Sequence, residues 1–145
     1  MVFPNRHNGI MVDACGRALG KRLPKWKRYG NSSLPYTFGC GKTAVVVEDC
    51  VSAAIVGATD RLGCQDSGVY VGVAVLGTSL SEEHKRYLSQ FSTAVIALDP
   101  DALPKTLAIA KELRPHVKQI RVLYLLDDLK YRNPTDMMKL TTLGE

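Results

Sequence analysis

No stretch of about 18 consecutive apolar residues occurs in this chain, so no membrane-spanning helix is expected and no membrane partner. The opening MVFPNRHNG lacks the basic-then-apolar order of a secretory signal, which points to a soluble protein of the cytoplasm. The cysteines, Cys15, Cys40, Cys50 and Cys64, form no C-x-x-C pair. That excludes a zinc ribbon and a thioredoxin-like redox motif, and it suits reduced thiols. His7, His84 and His116 have no ligand-like spacing either. A complete phosphate-binding P-loop is also missing. Gly41-Lys42-Thr43 echoes its end, but the first glycine would fall on Tyr36, and a strand follows where a helix is needed.

Acid is absent from residues 17–28, and base is abundant there: Arg17, Lys21, Arg22, Lys25, Lys27 and Arg28. The whole chain has 19 Lys+Arg against 14 Asp+Glu, a net charge of +5, so this strip alone exceeds the excess and the remainder is close to neutral. Such a strip, interleaved with Trp26 and Tyr29, can track the phosphates of a single strand and stack its bases; it can also be a solvated basic loop.

At 145 residues and 46% hydrophobic, the chain can bury one ordinary core. Residues 1–41 are rich in Gly, Pro, Asn and Ser around a short apolar run, Ile10 to Val12, and read as a small basic irregular or β-ribbon lobe. Residues 42–145 change pattern. Ala44 to Val47 is a short β-branched run, and DCVSAAIVGATDRLG after it reads as a helix. Val69 to Leu76 is a second strand, and Ser81 to Phe91 a helix with Ser81 as N-cap and Glu82 and Glu83 in its first turn. Ala94 to Leu98 is a third strand. Leu103 to Leu113 follows as a helix, with Pro104 in its first turn and Leu107, Ala110 and Leu113 on one face, and Ile120 to Leu126 is a fourth strand. The strands are continuous apolar runs, as a parallel sheet covered on both faces requires, so the fold class is α/β, Rossmann-like, with a four-stranded, mainly parallel sheet.

Ligands of such sheets sit beyond the carboxyl ends of the strands, where chain order reverses. Acids gather there: Glu48 and Asp49 after the first strand, Asp99 and Asp101 after the third, Asp127 and Asp128 after the fourth. Asp99 and Asp101, two residues apart, can turn to one side while Glu48 reaches the same spot from a neighbouring strand. Crowded carboxylates repel unless a cation neutralises them, and hard oxygen donors suit Mg²⁺ or Mn²⁺. Mg²⁺ commonly bridges carboxylates to substrate phosphates, so the reaction class such a cluster implies is phosphoryl transfer; acids at strand ends are equally common in plain loops. A phosphorylation receiver domain also gathers acids at strand ends, with Lys130 as its late lysine. It has five strand–helix units, however, and no second acid like Asp101. In haloacid-dehalogenase-like phosphatases the Asp-x-Asp follows the first strand, not the third.

The segments VVVEDCVSAA, VAVLGTSLSEEHKRYL, AVIALDPDA and NPTDMM, in this order, resemble the Toprim domain of bacterial and phage primases over roughly residues 42–140. Glu48 matches the glutamate ending the family's first strand, Gly77-Thr78 its Gly-Thr, and Asp99-Pro100-Asp101-Ala102 its Asp-x-Asp-x-Ala. Asp49 and Ser52 stand where the family has a glycine and an acid. Asp136 matches the acid of a late element that is otherwise only partly kept, with Lys130 nearby. DACGRALGKRLPKWKRYG is similar to the lobe preceding Toprim in primases. Topoisomerases, recombination mediators and small Toprim nucleases do not place such a basic strip before the same strand.

The resemblance implies primer synthesis on a single-stranded DNA template from nucleoside triphosphates, in a bacterial or phage-infected cell. Glu48 would be a metal ligand or general base, Asp99 and Asp101 metal ligands, and Asp136 an aid to metal or fold positioning. Gly77, Thr78 and Lys130 would approach the nucleotide. Arg17, Lys21, Arg22, Lys25, Trp26, Lys27 and Arg28 would hold the template. Two other readings share the fold: a degenerate Toprim module that binds single strands or a replication partner, and a Toprim nuclease. With no zinc-binding reader or helicase P-loop, the chain reads as a fragment, a split-gene product or a subunit working with a replicative helicase or other replisome protein.

Overall fold

The computed structural model describes residues 2–7, 10–21, 26–30, 34–39, 41–58, 70–75, 80–126 and 133–142. The basic lobe forms an antiparallel sheet, β1 (Val2–His7), β2 (Ile10–Arg17) and β3 (Trp26–Tyr29), in the order β1-β2-β3. Along β2, Asp13 and Cys15 turn inward and are buried, while Ile10 and Met11 at its start stay exposed. Asn5, fully buried, joins this lobe to the rest: its Nδ2 donates to Pro35 O at 3.0 Å, and its Oδ1 accepts from Thr37 N at 3.3 Å. His7 Nε2 lies 2.9 Å from the same Pro35 oxygen, which only accepts, so that nitrogen carries the proton.

The larger sheet contains the parallel strands that the apolar runs predict: β5 (Thr43–Val47), β6 (Tyr70–Ala74), β7 (Thr93–Ile96) and β8 (Gln119–Val122). It also has a fifth. β4 (Tyr36–Phe38) pairs antiparallel with β6, giving the order β4-β6-β5-β7-β8. Composition groups this segment with the lobe, because a three-residue strand between Pro35 and Gly39 is too short to show a period.

Helices cover both faces. α1 (Cys50–Ala58) packs on one, where Cys50, Ala53 and Val56 meet Val45, Val47 and Tyr36. α2 (Glu82–Leu88) and α3 (Leu103–Leu113) pack on the other, where Leu88, Ile109, Ala110 and Leu113 meet Ala44, Val46 and Ile96. Alternate residues of β5 therefore feed both cores, which is why the run is apolar throughout, and each of Val45, Val46 and Val47 is at most 1% exposed. Burying one such side chain contributes roughly 1.5–3 kcal/mol.

Ser81 caps α2 as its sequence predicts: its Oγ accepts from His84 N at 3.1 Å, and His84 Nδ1 accepts from Ser81 N at 3.4 Å. Pro104 sits in the first turn of α3, where it removes no helical bond. The apolar face of α3 differs from the expected one. Leu107 is 53% exposed, and Thr106, Ile109, Ala110 and Leu113 face the sheet. The buried set follows the 3.6-residue stripe, and Thr106 can join it because its hydroxyl donates to Ala102 O at 3.0 Å. α4 (Pro134–Thr142) ends the described chain.

Candidate functional site

The chain runs from β5 to its neighbour β6 on one side, then returns past β5 to β7 on the other side. The order of connection thus reverses between β5 and β7, and the crevice of an open α/β sheet lies beyond their carboxyl ends. The two strands are parallel neighbours in register, with Val46 opposite Ile96, and Ala97 N donating to Val46 O at 2.8 Å. Glu48 is the residue that follows β5. Asp99 follows β7 after the buried pair Ala97 and Leu98, and opens a 3-10 turn, Pro100–Ala102, that contains Asp101. Ala102 N donates back to Asp99 O at 2.9 Å, which folds this turn. Parallel pairing therefore puts the segments that carry Glu48, Asp99 and Asp101 at the same carboxyl end of the sheet. Glu48 and Asp99 are half-buried and Asp101 is exposed.

Asp99 also lines a small open cleft between the ends of β7 and β8, with Leu98, Pro100, Leu103, Thr106 and Tyr124. Among the described residues, no three His, Cys, Asp or Glu side chains are gathered closely enough to hold a metal ion, so the expected convergence of Glu48, Asp99 and Asp101 on one spot is not formed here. The donors at the β5–β7 edge are all carboxylate oxygens with access to solvent. That suits Mg²⁺ or Mn²⁺, since Mg²⁺ keeps several waters and takes only one or two protein carboxylates beside substrate phosphates.

Asp136 is elsewhere engaged. It is fully buried in the first turn of α4, and its Oδ1 accepts from Leu126 N at 2.8 Å just past β8. Gly77, Thr78 and Lys130, with Asp127 and Asp128, lie outside the described residues, as do Arg22 and Lys25 of the basic strip. Of the other basic-strip positions, Lys21 is exposed, Arg17 closes β2 opposite Trp26, and Arg28 pairs with Cys15 on β3.

Lys27 and Tyr29 form an organised patch among the described residues of the lobe. Lys27 pairs with Gly16, and the Tyr29 ring lies across Gly16, where an added Cβ would meet it at 2.8 Å. Lys27 Nζ stands 5.3 Å from the centre of that ring, which is itself half exposed. The alternation in WKRY signals that Lys27 and Tyr29 share a face; nothing local signals that Gly16 lies beneath them.

Two features escape the sequence. Asp49, adjacent to Glu48, directs its Oδ1 to Ser52 N at 2.8 Å and so caps α1. The pattern Asp-x-x-Ser ahead of an apolar run carries that signal. Behind the site, burial pushes the Tyr36 hydroxyl up to about 12, with the nearby thiols of Cys50 and Cys15 adding to the shift. Burial likewise raises Tyr87, and a hydrogen bond with the Thr37 side chain partly offsets it.

No family model matches the chain. It is 33% identical over 110 residues to a DNA primase of Halalkalibacterium halodurans, a match covering 70% of this chain and 18% of that protein. Its fold superposes on a DNA primase domain from Pseudomonas aeruginosa with a TM-score of 0.64 at 19% identity, covering 97% of this chain and 50% of that one. A structure of the DnaG catalytic core gives the same TM-score at 16% identity, covering 96% and 50%. The chain thus spans half the length of these solved chains and under a fifth of the curated protein. Among the described residues, no helix is long and apolar enough to cross a membrane. With the strand order, the acid-bearing edge and these likenesses together, the chain is a distant homologue of DNA primases, built on the fold of the primase catalytic core.

Proposed function

We propose that this chain is a metal-dependent nucleotidyltransferase of the primase kind, making short RNA primers on a single-stranded DNA template. The observation that supports this reading is that β5 and β7 are parallel neighbours at the reversal of chain order, with Glu48 following one and Asp99 and Asp101 following the other. In it, Asp99 and Asp101 hold Mg²⁺ or Mn²⁺, and Glu48 is a further ligand or takes the proton of the attacking 3′-hydroxyl. The bound cation would neutralise charge on the nucleotide's phosphate oxygens. The half-burial of Glu48 and Asp99 keeps both within reach of solvent and substrate.

Asp136 serves the fold in this reading, since one of its oxygens already accepts from Leu126 N. The basic lobe, taken as residues 1–41 ahead of a catalytic domain of residues 42–145, carries the template. Tyr29 on Gly16 is a stacking platform and Lys27 its phosphate partner, with Arg17, Lys21, Arg22, Lys25, Trp26 and Arg28 along the same strip. Gly77, Thr78 and Lys130 are assigned to the nucleotide by resemblance alone. A replicative helicase or other replisome protein is its proposed partner.

The test is a labelled single-stranded template incubated with Mg²⁺ or Mn²⁺, with and without nucleoside triphosphates. Template-directed RNA that disappears in an Asp99→Ala, Asp101→Ala double variant supports the proposal, provided the variant keeps its thermal transition. Synthesis that survives in that variant overturns the site. Cleavage of the template without nucleotides identifies a nuclease, and salt-sensitive binding without turnover identifies a non-catalytic module.

A further inference from the structure

We infer that Asp49 is a positioning residue for Glu48: it holds the site carboxylate in place by capping α1 and is not itself a further acid facing the cation. The inference rests on the proposed site only in taking Glu48 as one of its carboxylates.

The resemblance places glycine at this position, and a second carboxylate beside Glu48 would at first sight add a ligand or a repulsion. The geometry assigns it other work. Asp49 Oδ1 accepts from Ser52 N at 2.8 Å, and Asp49 O accepts from Ala53 N at 3.1 Å, so both its side chain and its carbonyl are committed to the first turn of α1. That turn contains no acidic residue of its own, so the Asp49 charge is the one that meets the positive end of the helix.

α1 in turn is seated closely on the sheet. Gly72 of β6 lies against the backbone of Ala53, where an added Cβ would overlap the Ala53 carbonyl. On the other side of Glu48, Val47 is 1% exposed and its carbonyl accepts from Val75 N at 2.9 Å. Glu48 is therefore a single-residue link between a buried strand end and a capped helix start, and the cap fixes one of its two anchors.

The experiment compares Asp49→Asn with Asp49→Ala in the full chain. Both remove the charge, but asparagine keeps a capping oxygen and alanine does not. Any electrostatic effect on cation binding is common to the two, so their difference reports the cap. Mn²⁺ affinity is read by electron paramagnetic resonance, and the rigidity of the Glu48 backbone by ¹⁵N relaxation. Asp49→Asn is expected to bind Mn²⁺ about tenfold more tightly than Asp49→Ala, the scale of loss when a group supporting a ligand is removed. It should also keep a rigid Glu48 amide that Asp49→Ala loosens. Equal weakening in the two variants with an unchanged Glu48 amide overturns the inference. If the unaltered protein binds no Mn²⁺, the metal-site reading fails by itself, and the relaxation data alone decide the role of Asp49.

Discussion

The backbone N–H of Leu126 donates to Oδ1 of Asp136 at 2.8 Å, and this bond fastens the start of α4 to the chain leaving β8. Asp136 is fully buried although Leu126 is 61% exposed, so its removal costs a hydrogen bond to a charged acceptor, which water replaces only in part. Asp136→Ala should cost about 1–3 kcal/mol, seen as a lower urea midpoint with an unchanged slope. Asp136→Asn retains an acceptor oxygen and should recover most of the loss. If Asp136→Ala leaves stability untouched while Mn²⁺ binding is lost, the residue is a ligand and the positional role fails.

Stability should fall steeply in alkali. The Tyr36 hydroxyl titrates near 12 in the fold, mainly through burial, against about 10 when unfolded. A raised folded value favours the protonated form, so the stabilisation is complete below pH 10 and is lost as pH rises through about 12. Tyr87 shifts the same way and adds to the slope. Urea midpoints of the Tyr36→Phe variant should therefore decline less between pH 9.5 and 12 than those of the unaltered protein. Equal declines would place the alkaline weakness elsewhere.

At Gly72 the backbone of α1 approaches β6 more closely than any side chain permits. Gly72→Ala must push α1 outward, at a cost of about 3 kcal/mol. The same displacement disturbs the Asp49 cap, so thermal stability and hydrogen-exchange protection of the Ser52 amide should fall together. A variant that loses stability with the Ser52 amide still protected would show that α1 moves as a rigid unit.

The Tyr29 ring over Gly16, with Lys27 above it, makes a specific claim about single-stranded DNA. Tyr29→Ala should weaken binding by about 1–3 kcal/mol with little change in salt dependence. Lys27→Ala should lower the slope of log affinity against log salt by about 0.7. Fluorescence anisotropy of a labelled oligonucleotide across a salt series separates the two effects. Unchanged affinity in both variants would move the template path off this face.

Much of this architecture is legible in the residues themselves. Strands β5, β6 and β7 show as runs because each is buried on both faces, whereas the edge strand β8 alternates exposed and half-buried residues and ends at Val122, short of the expected Leu126. Ser81 and Pro104 mark the starts of α2 and α3 through their own backbone chemistry. β4 is invisible because three residues have no period, and Leu107 misleads because an apolar side chain on a helix need not be inside. For the site, Glu48, Asp99 and Asp101 stand out as acids ending apolar runs. That marks them as candidates without saying which share a neighbourhood.

Residue type and local order alone determined the α/β class, the strand–helix alternation, the basic strip and the acids at strand ends, because each depends on neighbours a few positions apart. Only the tertiary structure decided that β5 and β7 lie side by side and that Asp136 reaches back to Leu126. The physical reason is that strand order and hydrogen-bond partners are set by which faces bury one another across the whole chain. That competition leaves no mark at any single position.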